Sequence, residues 1–190
     1  MQLLEDRIRS EGRVAPGNVL RVDSFINHQI DVDLMAQLAA EFHRLYEGTR
    51  VDKVLTIEAS GIASACFVAH AFHVPLVFAK KSKTSNLPDN VFSATVRSYT
   101  HGNVNEVLVS KDYLKPGEHV LIIDDFLAHG EALQGLISLV EQAGGTVAGA
   151  GILIEKAFQN GGSSVRARGY RVESLARVAS MSDDGAITFC

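Results

Sequence analysis

The stretch Val120-Leu-Ile-Ile-Asp124-Asp125-Phe-Leu-Ala128-His129-Gly130-Glu131-Ala132 decides how the rest of the chain is read. Four consecutive aliphatic residues suit a strand buried on both faces, as in the middle of a parallel sheet. Two carboxylates follow, and a turn of small residues then opens a helix expected over 131–143. In that helix Ala132, Leu136, Leu139, Val140 and Ala143 share one face, and Gly144-Gly145 stop it. An apolar strand over 147–155 completes a βαβ unit. Upstream, a β-rich run over 53–58 breaks at Ala59-Ser60-Gly61, passes into an apolar helix over 62–72 and resumes as a strand over 75–80. Two such units imply a parallel sheet with right-handed crossovers, and so an α/β fold.

Working outward, Leu4 and Ile8 lie one helical turn apart with Gly12 placed as a C-cap, which predicts a short opening helix. From Asp31 or Asp33 as cap, Leu34, Leu38, Phe42 and Leu45 recur at helical spacing up to Gly48. Phe92, Ala94 and Val96 alternate with polar residues, and 106–110 looks like a partner strand, so an antiparallel flap over one end of the sheet is expected. No repeat, low-complexity tract or linker divides the chain, and residues 1–190 read as one domain.

Composition narrows the function. The 190 residues carry 18 Lys+Arg against 22 Asp+Glu, a net charge of −4, which argues against a duplex nucleic-acid partner held by counterion release. Apolar runs fall far short of the ~20 residues of a membrane span, and the start of the chain is acidic and amphipathic. Two cysteines, Cys66 and Cys190, agree with a reducing compartment, so a cytoplasmic location is expected. Cys66, on the apolar run of a helix, is expected in the core. No Cys/His spacing resembles a zinc site, and the seven histidines lack a Ser or Cys partner for nucleophilic catalysis.

In open α/β sheets ligands bind beyond the carboxyl ends of the strands, where helix N-termini offer unpaired N–H groups to anions. A phosphate therefore fits residues 128–132. Asp124 and Asp125 would stand beside it, able to accept hydrogen bonds from sugar hydroxyls. The competing reading, in which Asp125 caps the helix and Asp124 is solvated, covers only one acid, because adjacent strand residues face opposite sides. Dinucleotide and P-loop chemistry are disfavoured: there is no G-x-G-x-x-G after the first strand and no G-x-x-x-x-G-K-[ST] anywhere.

An apolar strand, two acids and a short phosphate loop resemble the signature of the type I phosphoribosyltransferases, over nearly the whole chain. The segments 22–30, 57–61, 122–128 and 169–177 are similar to those of the bacterial xanthine-type members. The resemblance implies a central parallel sheet flanked by helices with a small flap or hood. It also implies transfer of a phosphoribosyl group from 5-phosphoribosyl 1-pyrophosphate (PRPP) to xanthine, Mg²⁺ carried by the substrate with no dedicated protein metal site, and a homodimer. Carried over position by position, it implies catalysis at Asp124 and Asp125, and PRPP binding at Ala128, His129, Gly130, Glu131 and Ala132. Pyrophosphate would bind at Ala59, Ser60 and Gly61, and the base at Leu20 (through its backbone), Asn27 and Lys156. Rival readings are a hypoxanthine, guanine or adenine enzyme, or a PRPP-sensing regulator without turnover.

The loop departs from the family pattern. His129, Glu131 and Ala132 stand where Thr, Gly or a closing hydroxyl residue is usual, which shifts the phosphate grip onto backbone N–H groups. Glu131 beside a dianion is unfavourable unless it points outward or meets a cation. Ala128 stands where related hypoxanthine-guanine enzymes carry a carboxylate, so no general acid/base is expected there. Lys80, Lys81 and Lys83 precede a breaker-rich loop, 85–89, that could close over a polyphosphate. Phe126 is either a wall for the base or core.

Overall fold

The computed structural model describes residues 1–82, 90–97, 104–182 and 184–190; Lys83 and the loop 85–89 lie outside the described residues. The chain opens with α1 (Gln2–Glu11), a two-stranded hood of β1 (Arg13–Ala15) and β2 (Val19–Arg21), and a π-helical turn (Asp23–Asn27). Then come α2 (Val32–Leu45), β3 (Lys53–Ile57), α3 (Gly61–Phe72), β4 (Leu76–Ala79) and the antiparallel pair β5 (Val91–Arg97) and β6 (Val104–Ser110). The second half holds β7 (His119–Leu127), α4 (Glu131–Gln142), β8 (Thr146–Lys156), α5 (Gly161–Ala167), β9 (Val172–Met181) and β10 (Ile187–Phe189). Six strands form one sheet in the order β10-β9-β8-β7-β3-β4, all parallel except β10.

Strand alternation divides the interior in two. Leu121 and Ile123 of β7 pack into one cluster with residues of α1, α2, α3 and the hood, while Val120 and Ile122 enter another with residues of α4, α5, β5 and β6. Each fully buried aliphatic side chain contributes ~1.5–3 kcal/mol, so a strand buried on both faces anchors both layers. Asp31 caps α2, its carboxylate accepting from the Leu34 N–H at 3.0 Å.

Several expectations need correction. β7 runs on to Leu127, with Phe126 and Leu127 in register with Ile154 and Glu155, so the strand extends two residues past the acids instead of ending at them. Neither acid caps α4, whose N-cap is Gly130. Gly12 does cap α1, but in an extended conformation (φ −66°, ψ 148°) rather than a left-handed one. α2 ends at Leu45, before Gly48. Cys66 is exposed, because α3 turns Gly61, Ser64, Ala65, Val68 and Ala69 inward instead. The β5–β6 pair forms as expected, packs Val96 and Val107 into the α4 cluster, and meets β4 where Lys80 and Leu108 exchange backbone hydrogen bonds of 2.9 Å.

Packing at the centre leaves no slack. A Cβ on Gly151 of β8 would lie 2.7 Å from Ile123 Cδ1 and 2.8 Å from Phe42 Cε1. Gly151→Ala should therefore destabilise the fold by ~1–3 kcal/mol through overpacking. A denaturant midpoint equal to that of the parent would show that Phe42 yields freely.

Candidate active site

The site is built on the end of β7. Asp124 and Asp125 are only 5% and 6% exposed, which a carboxylate tolerates when its oxygens find donors. Asp125 finds two: the Ser60 hydroxyl donates to Oδ1 at 3.0 Å and the Asn27 side-chain amide donates to Oδ2 at 3.3 Å. One carboxylate thus joins the turn after β3 to the π-helical turn of the hood. Asp124 Oδ1 accepts from the Asp125 backbone N–H at 3.1 Å and faces Gly61, where a Cβ would stand 3.1 Å away.

The 58–61 turn contains a cis Glu58–Ala59 peptide and is tied to the end of β4: Glu58 N–H donates to the Ala79 carbonyl at 3.0 Å, and Glu58 Oε1 accepts from the Lys81 N–H at 2.7 Å. Beneath it, the Thr56 hydroxyl is buried without a hydrogen-bond partner among the described residues, and a Cβ on Gly61 would come within 2.2 Å of it. Across β7, Gly130 takes a left-handed φ of +86° that a side chain would disfavour, and so turns the chain into α4, whose first-turn N–H groups have no intrahelical acceptor. Glu131 and His129 are half-buried. On the hood side, Lys156 Nζ donates to the Asn18 carbonyl at 2.8 Å, beside buried Leu20. Burial lowers the Lys156 pKa.

The structure therefore gathers the predicted residues around the carboxyl end of the sheet. Asn27 reaches Asp125 directly, and Lys156 belongs to β8 rather than following it. Phe126 is partly buried against the first core cluster. Sequence reasoning missed Thr56, Asn18 and the Gly161-Gly162 pair, whose Gly161 N–H donates to the Ala128 carbonyl at 3.2 Å. The Asn160-Gly-Gly run was the available signal, since paired glycines mark turns and close backbone approaches.

An acid pair near the end of a strand, a turn into a helix and a second backbone turn opposite thus share the carboxyl end of one sheet. The family model of the Phosphoribosyl transferase domain matches residues 21–173, and the chain belongs to that family. The xanthine phosphoribosyltransferase of Lachnoclostridium phytofermentans is 54% identical over 190 residues, covering 100% of this chain and 98% of its own. That of Bifidobacterium adolescentis is 52% identical over 191 residues, covering 100% and 99%. Among solved structures, adenine phosphoribosyltransferase from Trypanosoma brucei superposes with a TM-score of 0.77 at 16% identity, over 96% of this chain and 83% of that one. The Rhodothermus marinus adenine enzyme gives 0.75 at 22%, over 93% and 99%. These two likenesses show the fold.

The acid pair also sets a pH dependence. Burial first, then the neighbouring Asp125 carboxylate, push the Asp124 carboxyl well above its usual range, with Lys81 pulling weakly the other way. Between the usual and the raised value the folded chain keeps a proton that the unfolded chain has lost, so stability falls as pH rises through that interval. Asp124→Asn has no charge to bury. It should unfold at a higher temperature than the parent at about pH 7.5, with the gap closing towards about pH 4. A gap of equal size at both pH values in thermal unfolding would contradict the raised carboxyl.

Proposed function

We propose that this chain transfers the phosphoribosyl group of PRPP to xanthine, forming xanthosine 5′-monophosphate and pyrophosphate in purine salvage, and that residues 1–190 make one domain for the purpose. The observation that carries the reading is the convergence on Asp125 of Ser60 and Asn27, which brings a turn suited to pyrophosphate and a hood suited to a base onto one carboxylate. The relatives from Lachnoclostridium phytofermentans and Bifidobacterium adolescentis, matched over the full chain, are named for this activity.

Each residue then has a task. The N–H groups of 128–132 take the 5′-phosphate, assisted by the helix dipole of α4. Ala59, Ser60 and Gly61 bring backbone to the pyrophosphate. Asp124 and Asp125 orient the ribose hydroxyls and face the positive charge that grows at the anomeric carbon as pyrophosphate departs and the purine nitrogen attacks. Lys156 donates to the 6-oxygen of the base, the Leu20 backbone lines its edge, and the Asn27 amide, able to donate and accept, reads the oxygen at C2.

The donor set fits Mg²⁺ that arrives on the substrate: ribose and diphosphate oxygens would hold the ion, with Asp124 and Asp125 as the carboxylates facing it. No group of three or more His, Cys, Asp or Glu suited to a metal occurs among the described residues. When bound, the ion neutralises the departing pyrophosphate. The same reading places the enzyme in the cytoplasm, where free thiols such as Cys66 and Cys190 persist. Among the described residues no helix is long and apolar enough to cross a membrane.

Kinetics with PRPP, Mg²⁺ and each of xanthine, hypoxanthine, guanine and adenine test the reading. Asp125→Asn should lower kcat by ~10²-fold with the fold intact, as for loss of a preorganised electrostatic group. Lys156→Ala should lower kcat/KM for every 6-oxopurine. Asn27→Ala should narrow the xanthine-to-hypoxanthine ratio, and because its amide also holds Asp125 it should lower kcat with both bases. Normal turnover by both Asp124→Asn and Asp125→Asn would refute the site, whereas an unchanged base ratio in Asn27→Ala would refute only its part in selectivity.

The homodimer belongs to the same proposal. Apolar surface supports it: Phe78 on the edge strand β4 is 40% exposed and Tyr113 60%, and the two line one hollow beside that strand. Sedimentation equilibrium should return twice the chain mass of 20.5 kDa. A single-chain mass at micromolar concentration would overturn it.

A further inference from the structure

Glu155 is 2% exposed and belongs to none of the tasks above. Its carboxylate receives a forked pair of hydrogen bonds from Arg166, Nη1 to Oε1 at 2.8 Å and Nη2 to Oε2 at 2.7 Å, a third from the Ser174 hydroxyl, and Arg177 Nε stands 3.4 Å from Oε2. Burial alone would raise its pKa, but the Arg166 and Ser174 hydrogen bonds outweigh that and hold it below the usual range, so the group is ionised. A buried ion pair of this kind is weak evidence for stability, because desolvation offsets much of the attraction; what it fixes is geometry.

What it fixes here is α5. Arg166 lies on that helix, and the helix begins with Gly161 and Gly162. A Cβ on Gly162 would stand 2.1 Å from Glu155 Oε1, so the turn rests directly on the carboxylate. A Cβ on Gly161 would stand 2.4 Å from the Ala128 carbonyl oxygen and 2.6 Å from the Gly130 nitrogen, and the Gly161 N–H donates to that same carbonyl. The Gly161-Gly162 turn is therefore wedged between a buried carboxylate and the backbone of 128–130, with contact too close for any side chain.

We infer that Glu155 is a positioning residue for the 5′-phosphate loop: with Arg166 it seats Gly161-Gly162 against residues 128–130 and so sets the directions of the N–H groups that receive the phosphate. The inference rests on the reading of 128–132 as the phosphate site. It matters more here than in a loop rich in hydroxyl side chains, because His129, Glu131 and Ala132 leave the grip to the backbone, and backbone donors cannot reorient individually. Misplacement of such a cradle by ~1 Å is enough to cost up to ~10²-fold.

The test is amide NMR titration of the full chain with ribose 5-phosphate and, separately, with pyrophosphate, for the parent, Glu155→Gln and Gly161→Ala. In the parent, ribose 5-phosphate should shift the amides of 129–132. Glu155→Gln keeps the shape of the side chain but removes the charge that holds Arg166, and should weaken ribose 5-phosphate by about tenfold or more while pyrophosphate stays within about twofold. Gly161→Ala leaves the ionic cluster intact and displaces the loop directly, so it should give the same split and decides the matter if Glu155→Gln does not fold. Unchanged ribose 5-phosphate affinity in the folded variants, or equal weakening of both ligands, would overturn the inference. Ribose 5-phosphate binding in the parent without response at 129–132 would instead refute the phosphate-loop reading, and the inference with it.

Discussion

Two carboxylates sit side by side, nearly out of water, near the end of a strand that is itself buried on both faces. Such groups are costly unless paired, and the surrounding structure is arranged around that cost. Asp125 is satisfied by the Ser60 hydroxyl and the Asn27 amide, each from a different element. Asp124 receives a backbone N–H and lies close against Gly61, but its pKa is still driven upward, so part of the cost is met by a proton rather than a partner. A fold selected for stability alone would place aliphatic side chains there, as β7 does from Val120 to Ile123. Keeping the acids costs stability, and it obliges the hood and the 58–61 turn to remain where they hold Asp125.

The same strand logic separates what would be phosphate recognition from what would be base recognition on the proposed reading. Consecutive residues of a strand face opposite sides, and β8 uses this at its last two positions. Glu155 meets α5 and, through the Gly161-Gly162 turn, the loop at 128–130; Lys156 meets the Asn18 carbonyl in the hood. Each side has its own hydrophobic cluster, so the hood and the phosphate side pack on largely separate cores joined through the sheet. The acids of β7 lie where the two converge.

How much of this the sequence discloses depends on the range of the interactions involved. The β7–α4–β8 unit, the β3–α3–β4 unit and α2 are legible because apolar periodicity is a local property, and Asp124-Asp125 stands out because two charges interrupt an aliphatic run. Capping of α2 by Asp31 follows from the same local chemistry. The hood strands are three residues each, the turn at 23–27 is π-helical and α5 has seven residues, all too short for a pattern to form. The exposure of Cys66 is not legible because α3 is apolar nearly all round, so its composition does not mark the inward face. The wedge of Gly161 against Ala128 joins positions far apart in the chain, and only tertiary packing reveals why two glycines are required there.

On the proposed reading Lys156 is the donor to the 6-oxygen of the base, and the hood fixes where it stands. Its ammonium is held by the Asn18 carbonyl, and burial lowers its pKa, so part of its hydration is already gone in the free enzyme. An ammonium has three donors, and among the described residues one is engaged. On the proposed reading a carbonyl oxygen arriving at a second donor meets an ammonium already held in place by the Asn18 carbonyl, in the turn where Asn18 takes a left-handed φ of 58°. An amino group arriving at the same place would bring a donor against a donor, so the contact that favours a 6-oxygen disfavours a 6-amino group.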